Sequence, residues 1–396
     1  MSEQIALSLN AGSSSLKFAL FRVDSESEES LATGSIERLE TPEARAHLRT
    51  ARASKDLALP NANAESALRV AFEFFAESEL PRPTVVGHRV VHGGSAHTAP
   101  ARIGSALIAS LKGLVPLAPL HMPAAISGIE AALAHDPSIP QVACFDTAFH
   151  ARMPERAARF PLPERFYSEG IRRYGFHGLS YEYALSMLGD PPPARVIVAH
   201  LGNGASVCAI ENGCSIDTTM GLTPSGGIMM GTRAGDLDPG LLLYLQRAKG
   251  YDIAQLEALL NHEAGLAGVG GSSDLRLLET RKSDDAHAGL ALEMFGYQVR
   301  KTIGAYVAAL GGVDCLVFTG GIGEHSAEIR SRACRGLDVM GIELDEELNE
   351  SGEAAIHSKR SACRIFVLES DEDRVIARHA ARIARTDCAG LTLAAV

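Results

Sequence analysis

One pattern occurs twice in this sequence, at places about half a chain apart: an apolar run, a turn rich in glycine and small polar residues, and a second apolar run. The first copy is Ile5–Val23 and the second is Arg195–Ile210. Apolar runs on both sides of such a turn predict a β-hairpin. Two copies this far apart predict a duplicated domain, and we expect a nucleotide to bind in the cleft between the copies.

The turn of the first copy carries groups that suit a phosphate and its metal ion. Asn10 supplies a neutral oxygen ligand, Lys17 supplies a positive charge, and the glycine and serines between them expose backbone N–H groups. The segment joins strand to strand and lacks a Gly-Lys-Ser/Thr ending, so it is not a P-loop. Taken alone, it fits an ordinary Ser/Gly hairpin equally well.

Strands and helices alternate along the chain, which is typical of an α/β protein with helices covering its sheets. Further strands are predicted at the short apolar runs Val85–Gly87, Val142–Phe145, Val196–Ala199 and Leu316–Phe318. Helices are predicted at the longer periodic segments Ala64–Leu80, Leu237–Leu260, Asp285–Leu310 and Glu372–Arg385.

The length of 396 residues exceeds one ordinary core, so the sequence predicts two domains. We expect an N-terminal domain of residues 1–148, completed by the C-terminal helix in residues 374–396. We expect residues 149–373 to form a C-terminal nucleotide-binding domain. The first boundary falls where Asp146–His150 gives way to a segment rich in arginine and proline.

Composition limits the partners and the compartment. A net charge of −11 argues against nucleic acid or an anionic membrane as the main partner. We expect no signal peptide and no membrane span, because neither pattern occurs. Seven cysteines without a CxxC fit reduced thiols in a cytoplasm. His88 and His92 flank a strand-like run, which disfavours a zinc site.

Two arginines lie in apolar, glycine-rich segments, where burial against a partner is more probable than on a polar helix face. They are Arg89 in GHRVVHGG and Arg233 in MMGTRAGD. One interpretation is a structural salt bridge at each position. The other is a clamp on a phosphoryl group in transit, a role in which a cation can be worth about 10³–10⁵ in rate.

Other candidates follow from position in the predicted elements. Asp146 ends a buried strand, at the edge where α/β folds usually bind ligands. His177 lies in a glycine-flanked loop, although a lone histidine is more often structural. Asp217 and Asp236 rank lower, because acids at strand ends often cap helices. A third glycine-rich turn is predicted at Gly320–Glu324, but no turn completes GxGxxG, which disfavours a Rossmann site.

Together these motifs resemble the acetate kinase family of short-chain carboxylate kinases, in order and over nearly the whole chain. The matching segments are LNAGSSSLK (9–17), GHRVVHGG (87–94), LAPLH (117–121), FDTAFH (145–150), RYGFHG (173–178), AHLGNG (199–204), DTTMGLTP (217–224), MGTRAGDLDP (230–239), FTGGIGE (318–324) and DE (371–372). The resemblance implies the duplicated two-domain α/β fold shared by sugar kinases, actin and the Hsp70 ATPase.

The resemblance also implies a role for each matched residue. For the metal ion, Mg²⁺ with Mn²⁺ as the alternative, the implied residues are Asn10 and Glu372. For catalysis they are Asp146, Arg89, His177 and Arg233, and for substrate binding, including the acyl methyl pocket, they are Arg89, Val91, Leu120, Phe176 and Pro224. For ATP they are Lys17, His200, Leu201, Gly202, Asn203, Gly204, Asp274, Leu275, Arg276, Gly321, Ile322, Gly323, Glu324 and His325.

The chain departs from the family at several matched positions. Ser225 and Gly226 replace the usual Leu-Glu after Pro224, which puts the size of the acyl pocket in doubt. Met122 replaces a usual asparagine. Leu179 and Tyr181 stand where threonine and histidine are usual.

The implied reaction is reversible, Mg²⁺-dependent, direct in-line transfer of the γ-phosphoryl group of ATP to acetate, giving acetyl phosphate and ADP, by a cytoplasmic homodimer. A carboxylate is already anionic at pH 7, so it needs no general base, and catalysis reduces to positioning and charge neutralisation. A propionate or butyrate kinase stays open, since one methylene is worth only about 1–3 kcal/mol. A non-transferring ATPase of the actin/Hsp70 type is the alternative of another class, but it needs no anionic acceptor site.

Overall fold

The computed structural model describes residues 3–12, 14–24 and 27–393, with side chains through residue 386. The chain divides into two compact units, Met1–Phe149 with Asp371–Val396, and His150–Ser370. Ser13 of the first predicted turn, residues 394–396 of the predicted N-terminal domain and the Cys388 side chain lie outside the described residues. No helix in the described part is both long and apolar enough to cross a membrane.

The first unit is built on one sheet. Its strands are β1 (Gln4–Ala11), β2 (Ser15–Val23), β3 (Glu28–Glu37), β4 (Arg45–Thr50), β5 (Ser54–Ala58), β6 (Val85–Val90), β7 (Ala101–Arg102) and β8 (Gln141–Phe145). Within the described residues they lie in the order β5-β4-β3-β2-β1-β6-β8-β7. Strands β1 to β5 pair antiparallel, whereas β6 is parallel to both β1 and β8.

Helices cover both faces of this sheet. They are α1 (Ala64–Glu77), α2 (Ser105–Gly113), α3 (Met122–His135) and the C-terminal helix (Glu372–Leu393). Helix α1 begins at a capping box on Asn63 and buries Phe75 edge-on against Phe18 of β2. The C-terminal helix packs on β1, β2, β6 and β8. Gly87 of β6 permits this approach, because a Cβ there would lie 2.5 Å from Cγ2 of Ile376.

The second unit has a smaller sheet. Its strands are β9 (Arg195–Leu201), β10 (Ala205–Glu211), β11 (Cys214–Thr218), β12 (Cys315–Thr319) and β13 (Arg364–Val367). Their order within the described residues is β11-β10-β9-β12-β13. Strands β9, β10 and β12 are buried along almost their whole length, as their Val/Ile-rich sequences predict.

The two sheets share one topology. In the first, β3, β2 and β1 pair antiparallel, and β6 and β8 continue in parallel. In the second, β11, β10 and β9 pair antiparallel, and β12 and β13 continue in parallel. Each predicted hairpin is the centre of its sheet. The predicted α/β class and the predicted duplication are therefore confirmed.

The helices of the second unit are α4 (Glu155–Ala158), α5 (Glu164–Ser168), α6 (Gly178–Ser186), α7 (Pro239–Lys249), α8 (Ile253–Ala258), α9 (Gly265–Gly270), α10 (Leu275–Arg281), α11 (Ala286–Leu310), α12 (Gly320–His325), α13 (Ala327–Cys334) and α14 (Glu346–Ser351).

These helices correct two predictions made from the sequence. The single helix predicted over residues 237–260 is wrong, because Gly250 is left-handed with φ 74° and ends α7. The turn predicted at residues 320–324 forms most of α12.

Candidate active site

In the first unit, Arg89 lies between two carboxylates. Its Nη2 donates to Oδ2 of Asp146 at 2.7 Å and its Nε donates to Oδ1 of Asp146 at 3.1 Å. Oε2 of Glu372 lies 3.5 Å from the same Nε. The contact follows from topology, because β6 and β8 are parallel neighbours, so that Arg89 on β6 faces the residue after β8. The sequence predicted that Arg89 has a partner, and the ion pair with Asp146 confirms that prediction.

The charges in this cluster are fixed by their contacts. Burial alone would lower the pKa of Arg89, but Asp146 and Glu372 raise it above its usual value, so the guanidinium stays charged. Asp146 is 1 % exposed and accepts hydrogen bonds from Arg89 through both oxygens. A carboxylate held in this way orients an arginine and is poorly placed to take up a proton.

Asn10, Lys17 and Glu372 share one face of the first sheet. Asn10 and Lys17 are cross-strand partners in the β1–β2 hairpin, so both side chains stand on the face that also carries Ser8. Ser8 Oγ donates to Oδ1 of Asp373 at 2.8 Å, which brings the start of the C-terminal helix to this face. Burial, followed by the charges of nearby acids, raises the pKa of Asp373 to about 6.

This face suits a magnesium ion that arrives with a nucleotide. No cluster of three or more His, Cys, Asp or Glu side chains that could hold a metal ion occurs in the part of the chain that is described. Mg²⁺ usually keeps several waters and takes one or two protein oxygens together with substrate phosphates. The amide oxygen of Asn10 and the carboxylate of Glu372 fit that donor set.

The first-unit residues assigned to the acyl pocket differ in environment. Val91 follows β6 and is buried. Leu120 is 39 % exposed and lines a groove of about 720 Å³, together with Gly12 and Ser15 of the first hairpin and Ala124 of α3. Val91 does not line that groove.

In the second unit, Arg233 and His177 meet at Gly204. A Cβ added to Gly204 would lie 2.6 Å from Nη2 of Arg233 and 3.3 Å from Nε2 of His177. A side chain at Gly204 would displace the Arg233 guanidinium, so glycine leaves room at the end of the β9–β10 turn for two nitrogen-bearing side chains to approach the main chain. The structure thus brings together two of the residues that the sequence assigned to the phosphoryl group.

Arg233 is partly buried and has no acidic partner among the described residues. One of its nitrogens donates to the carbonyl oxygen of Pro224. Burial lowers the pKa of Arg233 from its usual value to about 10. A desolvated cation is stabilised when an anion binds beside it, so this site favours an anionic ligand.

His177 is held from two sides. It begins α6 in a left-handed conformation with φ 60°. Its Nδ1 lies 2.8 Å from Oγ of Ser206, and its ring stacks on that of His200 with centroids 4.3 Å apart. Ser206 and His200 face each other across the β9–β10 hairpin, so one hairpin supplies both contacts.

His150 supports the backbone before His177. Its Nε2 donates to the carbonyl oxygen of Phe176 at 3.1 Å and its Nδ1 lies 2.8 Å from Oγ of Ser215. Burial lowers the pKa of His150 to about 4, so the ring is neutral at pH 7. Phe176, which the sequence assigned to the acyl pocket, is 1 % exposed.

Arg173 is a second partly buried arginine of this unit, and its Nε and Nη1 both bond to main-chain carbonyl groups. Nη1 lies 3.0 Å from the carbonyl oxygen of Thr218, 2.7 Å from that of Thr219 and 3.3 Å from that of Met220, and Nε donates to Ala157. These bonds fix the chain just before the Pro224 loop. Sequence reasoning missed Arg173, although it stands in the quoted RYGFHG segment.

The three segments assigned to ATP meet at one cavity of about 340 Å³ in the second unit. Its lining includes Gly202, Asn203, Asp274, Leu275, Arg276, Gly321, Ile322 and His325. The assigned residues His200, Leu201, Gly204, Gly323 and Glu324 do not line it. Leu201 is fully buried, and Oε1 of Glu324 accepts from the N–H groups of Gly320 and Ser370, so both support the neighbouring backbone.

Known proteins resemble the chain over almost its full length. The sequence model of the acetokinase family matches residues 5–378. The acetate kinase of Rhodopseudomonas palustris is 44 % identical, covering 96 % of this chain and 98 % of its own. The propionate kinase of Citrobacter freundii is 41 % identical over the whole of both chains.

Solved structures agree with these relatives. A propionate kinase from Francisella tularensis superposes with a TM-score of 0.90 at 37 % identity, covering 96 % of this chain and 100 % of its own. The acetate kinase of Porphyromonas gingivalis gives a TM-score of 0.86 at 38 % identity with the same coverage. The family model, the identities and the shared fold lead to one conclusion: the chain belongs to the acetokinase family.

Proposed function

We propose that this protein transfers the γ-phosphoryl group of ATP to the carboxylate of acetate, giving acetyl phosphate and ADP, in a reversible reaction. The observation that carries the proposal is the partly buried Arg233 guanidinium, which has no acidic partner among the described residues and lies with His177 at Gly204. Such a pair supplies positive charge and hydrogen-bond donors to a phosphoryl group.

The chemistry follows from the charges of the two reactants. The acceptor carboxylate is already ionised at pH 7, so no residue has to remove a proton from it. The barrier comes from repulsion between the carboxylate and the phosphate, and cationic side chains lower it. Arg89 orients the carboxylate, while Arg233 and His177 stabilise the equatorial oxygens of the phosphoryl group. Asp146 acts as the residue that orients Arg89, through the bidentate contact between them.

Magnesium is part of this proposal. Asn10 and Glu372 would hold the ion on the face that also carries Lys17, with water and phosphate oxygens as its other ligands. The bound ion would neutralise charge on the β- and γ-phosphates. Mn²⁺ has similar ligand preferences and is expected to substitute.

The cavity of about 340 Å³ is the proposed site of the nucleoside part of ATP. It combines the apolar Leu275 and Ile322 with polar groups from Asn203 and Asp274, as nucleoside sites usually do. With this assignment, the unit His150–Ser370 is the nucleotide-binding domain. The predicted domain boundaries near residues 148 and 373 stay predictions.

Propionate is the second candidate acceptor. Ser225 and Gly226 follow Pro224 where the family usually has larger side chains, and the chain is 41 % identical to a propionate kinase. Ser225 Oγ lies 2.7 Å from Oδ1 of Asn261, which holds this loop in place. The ratio of kcat/KM for acetate, propionate and butyrate decides between the two acceptors. A rise from acetate to propionate would favour the second.

The experiment that tests the activity is a hydroxamate assay with ATP, Mg²⁺ and a panel of short acids. Acyl hydroxamate that depends on all three components is the expected result. Hydrolysis of ATP without any dependence on the acid would instead favour the non-transferring ATPase.

We also propose that the protein is a cytoplasmic homodimer. Helix α7 has no buried residue, and Leu241, Leu243 and Tyr244 on it are 39 %, 49 % and 53 % exposed. A second copy that covers this face would remove the apolar surface from water. The free cysteines of the described part, Cys144, Cys208, Cys214, Cys315, Cys334 and Cys363, fit a reducing compartment. A monomeric mass in sedimentation at micromolar concentration would contradict the dimer.

A further inference from the structure

Two hydroxyl groups stand in line behind His177 in the second unit. Ser206 Oγ lies 2.8 Å from Nδ1 of His177, and the hydroxyl of Tyr181 bonds to the same serine oxygen. Ser206 and Tyr181 are both fully buried. Water therefore does not compete for either bond, and the orientation of these hydroxyls is set by the protein.

The chemistry of the two hydroxyls indicates which group donates in each of these hydrogen bonds. Burial raises the pKa of Tyr181 well above its usual value, so the phenol keeps its proton. A phenol is a better donor and a poorer acceptor than an aliphatic hydroxyl. Tyr181, which also bonds to Thr218, is therefore assigned as the donor to Ser206, and the proton of Ser206 is then directed to Nδ1 of His177. An Nδ1 that accepts a hydrogen bond leaves the proton of the neutral ring on Nε2.

The opposite edge of the His177 ring, which carries Nε2, shows why the tautomer matters. Nε2 of His177 and Nη2 of Arg233 both lie against Gly204. The positive charge of Arg233 therefore lies beside the imidazole. A neutral imidazole donates to an anion at this place only when its proton is on Nε2.

We propose that Tyr181 and Ser206 are positioning residues that hold His177 in the Nε2–H tautomer, so that the uncharged ring donates to the phosphoryl group beside Arg233. The inference rests on the proposed phosphoryl transfer. It also assigns a role to Tyr181, which stands where the acetokinase family usually has histidine. Both residue types can donate to Ser206, whereas phenylalanine cannot.

Two nearly isosteric substitutions test the chain of hydroxyls by kinetics. Tyr181→Phe and Ser206→Ala should each lower kcat about tenfold, with KM for ATP within twofold of wild type, because one hydrogen bond behind the ring is lost. The double variant should be no slower than Ser206→Ala, since the proposed effect of Tyr181 on His177 passes through Ser206. Tyr306→Phe is the matched control, because it removes another buried phenol hydroxyl of the same unit, and it should keep wild-type kcat.

A direct readout of the tautomer does not depend on activity. In ¹⁵N-histidine protein, the two-bond ¹H–¹⁵N spectrum should show His177 of the wild type protonated on Nε2 and accepting at Nδ1. The Ser206→Ala spectrum should lose the hydrogen-bonded character of that Nδ1. A wild-type ring protonated on Nδ1 would overturn the inference, and so would additive losses in the double variant. An inactive wild type with the expected spectrum would reject the proposed phosphoryl transfer and leave the positioning of His177 supported.

Discussion

Replacing Arg233 by methionine should abolish activity without unfolding the protein. The substitution keeps an unbranched side chain of similar length but removes a guanidinium that has no acidic partner among the described residues. Because burial lowers the pKa of Arg233 from its usual value to about 10, the charged form is disfavoured in the folded protein by up to about 3 kcal/mol, at about 1.4 kcal/mol per pH unit. Its removal relieves this penalty and loses the hydrogen bond to Pro224, worth about 1 kcal/mol.

The expected outcome is an unfolding free energy equal to that of wild type or higher by up to about 2 kcal/mol, the difference between those two effects. The rate should fall by about 10³–10⁵, as for the loss of a cation that stabilises a phosphoryl group in transit. KM for ATP should change little, because Arg233 does not line the nucleotide cavity. Urea denaturation gives the stability, and the hydroxamate assay gives kcat.

Arg173→Met is the matched control in the same unit. Arg173 donates to the carbonyl oxygens of Ala157, Thr218, Thr219 and Met220, so its loss leaves several part-buried acceptors without a donor. We expect this variant to lose about 3 kcal/mol or more of stability. The reasoning is refuted if Arg233→Met is destabilised as much as Arg173→Met, or if it keeps kcat within tenfold of wild type.

Three further predictions concern other parts of the molecule. Asp146→Asn should raise KM for acetate at least tenfold, because Arg89 loses a bidentate partner worth about 1.5–3 kcal/mol; an unchanged KM with a collapsed kcat would make Asp146 a proton carrier instead. His88 is buried with its pKa lowered from 6.5 to about 4, so the unfolded state binds more protons between these pH values and the folded state loses stability as the pH falls through them. In urea titrations, His88→Gln should remove about 1.4 kcal/mol per pH unit of that slope, whereas identical slopes would contradict the assignment. Ile322→Trp should fill the cavity of about 340 Å³ and raise KM for ATP at least tenfold at unchanged thermal stability, and a normal KM would place the nucleoside elsewhere.

The buried strands could be predicted from sequence because their physical signal is strong. Val196–Ala199 is an uninterrupted β-branched and apolar run between polar residues, and it lies inside β9. The strands β3, β4 and β5 were not predicted. Their burial alternates between buried, half-buried and exposed positions, so no continuous apolar run marks them.

The helix boundaries failed where one glycine decided them. The segment from residue 237 to 260 has helical periodicity on both sides of Gly250. Whether a glycine continues a helix or ends it in the left-handed conformation depends on tertiary contacts that periodicity does not contain. The predicted helix at Asp285–Leu310 contains Gly289, Gly296 and Gly304, yet α11 runs through all three to Leu310 before the left-handed Gly311 ends it.

In the candidate site, too, some features could be predicted from the sequence and others could not. Arg89 and Arg233 could be singled out because charged residues in apolar, glycine-rich segments are unusual. Their difference could not be predicted, since it depends on which carboxylates the fold brings near each guanidinium. Ser206 and Tyr181 carry no local signal at all, because a buried serine on a strand and a buried tyrosine on a helix look like ordinary core residues.

Binding of a transition-state mimic tests the central claim most directly, which is that Arg233 supplies charge for the phosphoryl group in transit and not for the nucleotide at rest. Calorimetry would compare the affinity for ADP and Mg²⁺ alone with that in the presence of acetate and aluminium fluoride, for wild type and Arg233→Met. Transition-state mimics bind about 10²–10⁸ times more tightly than substrates, so wild type should gain at least about 10² in affinity. The variant should bind ADP normally and gain almost nothing from the planar fluoride, whereas a variant that keeps the full gain would contradict the account.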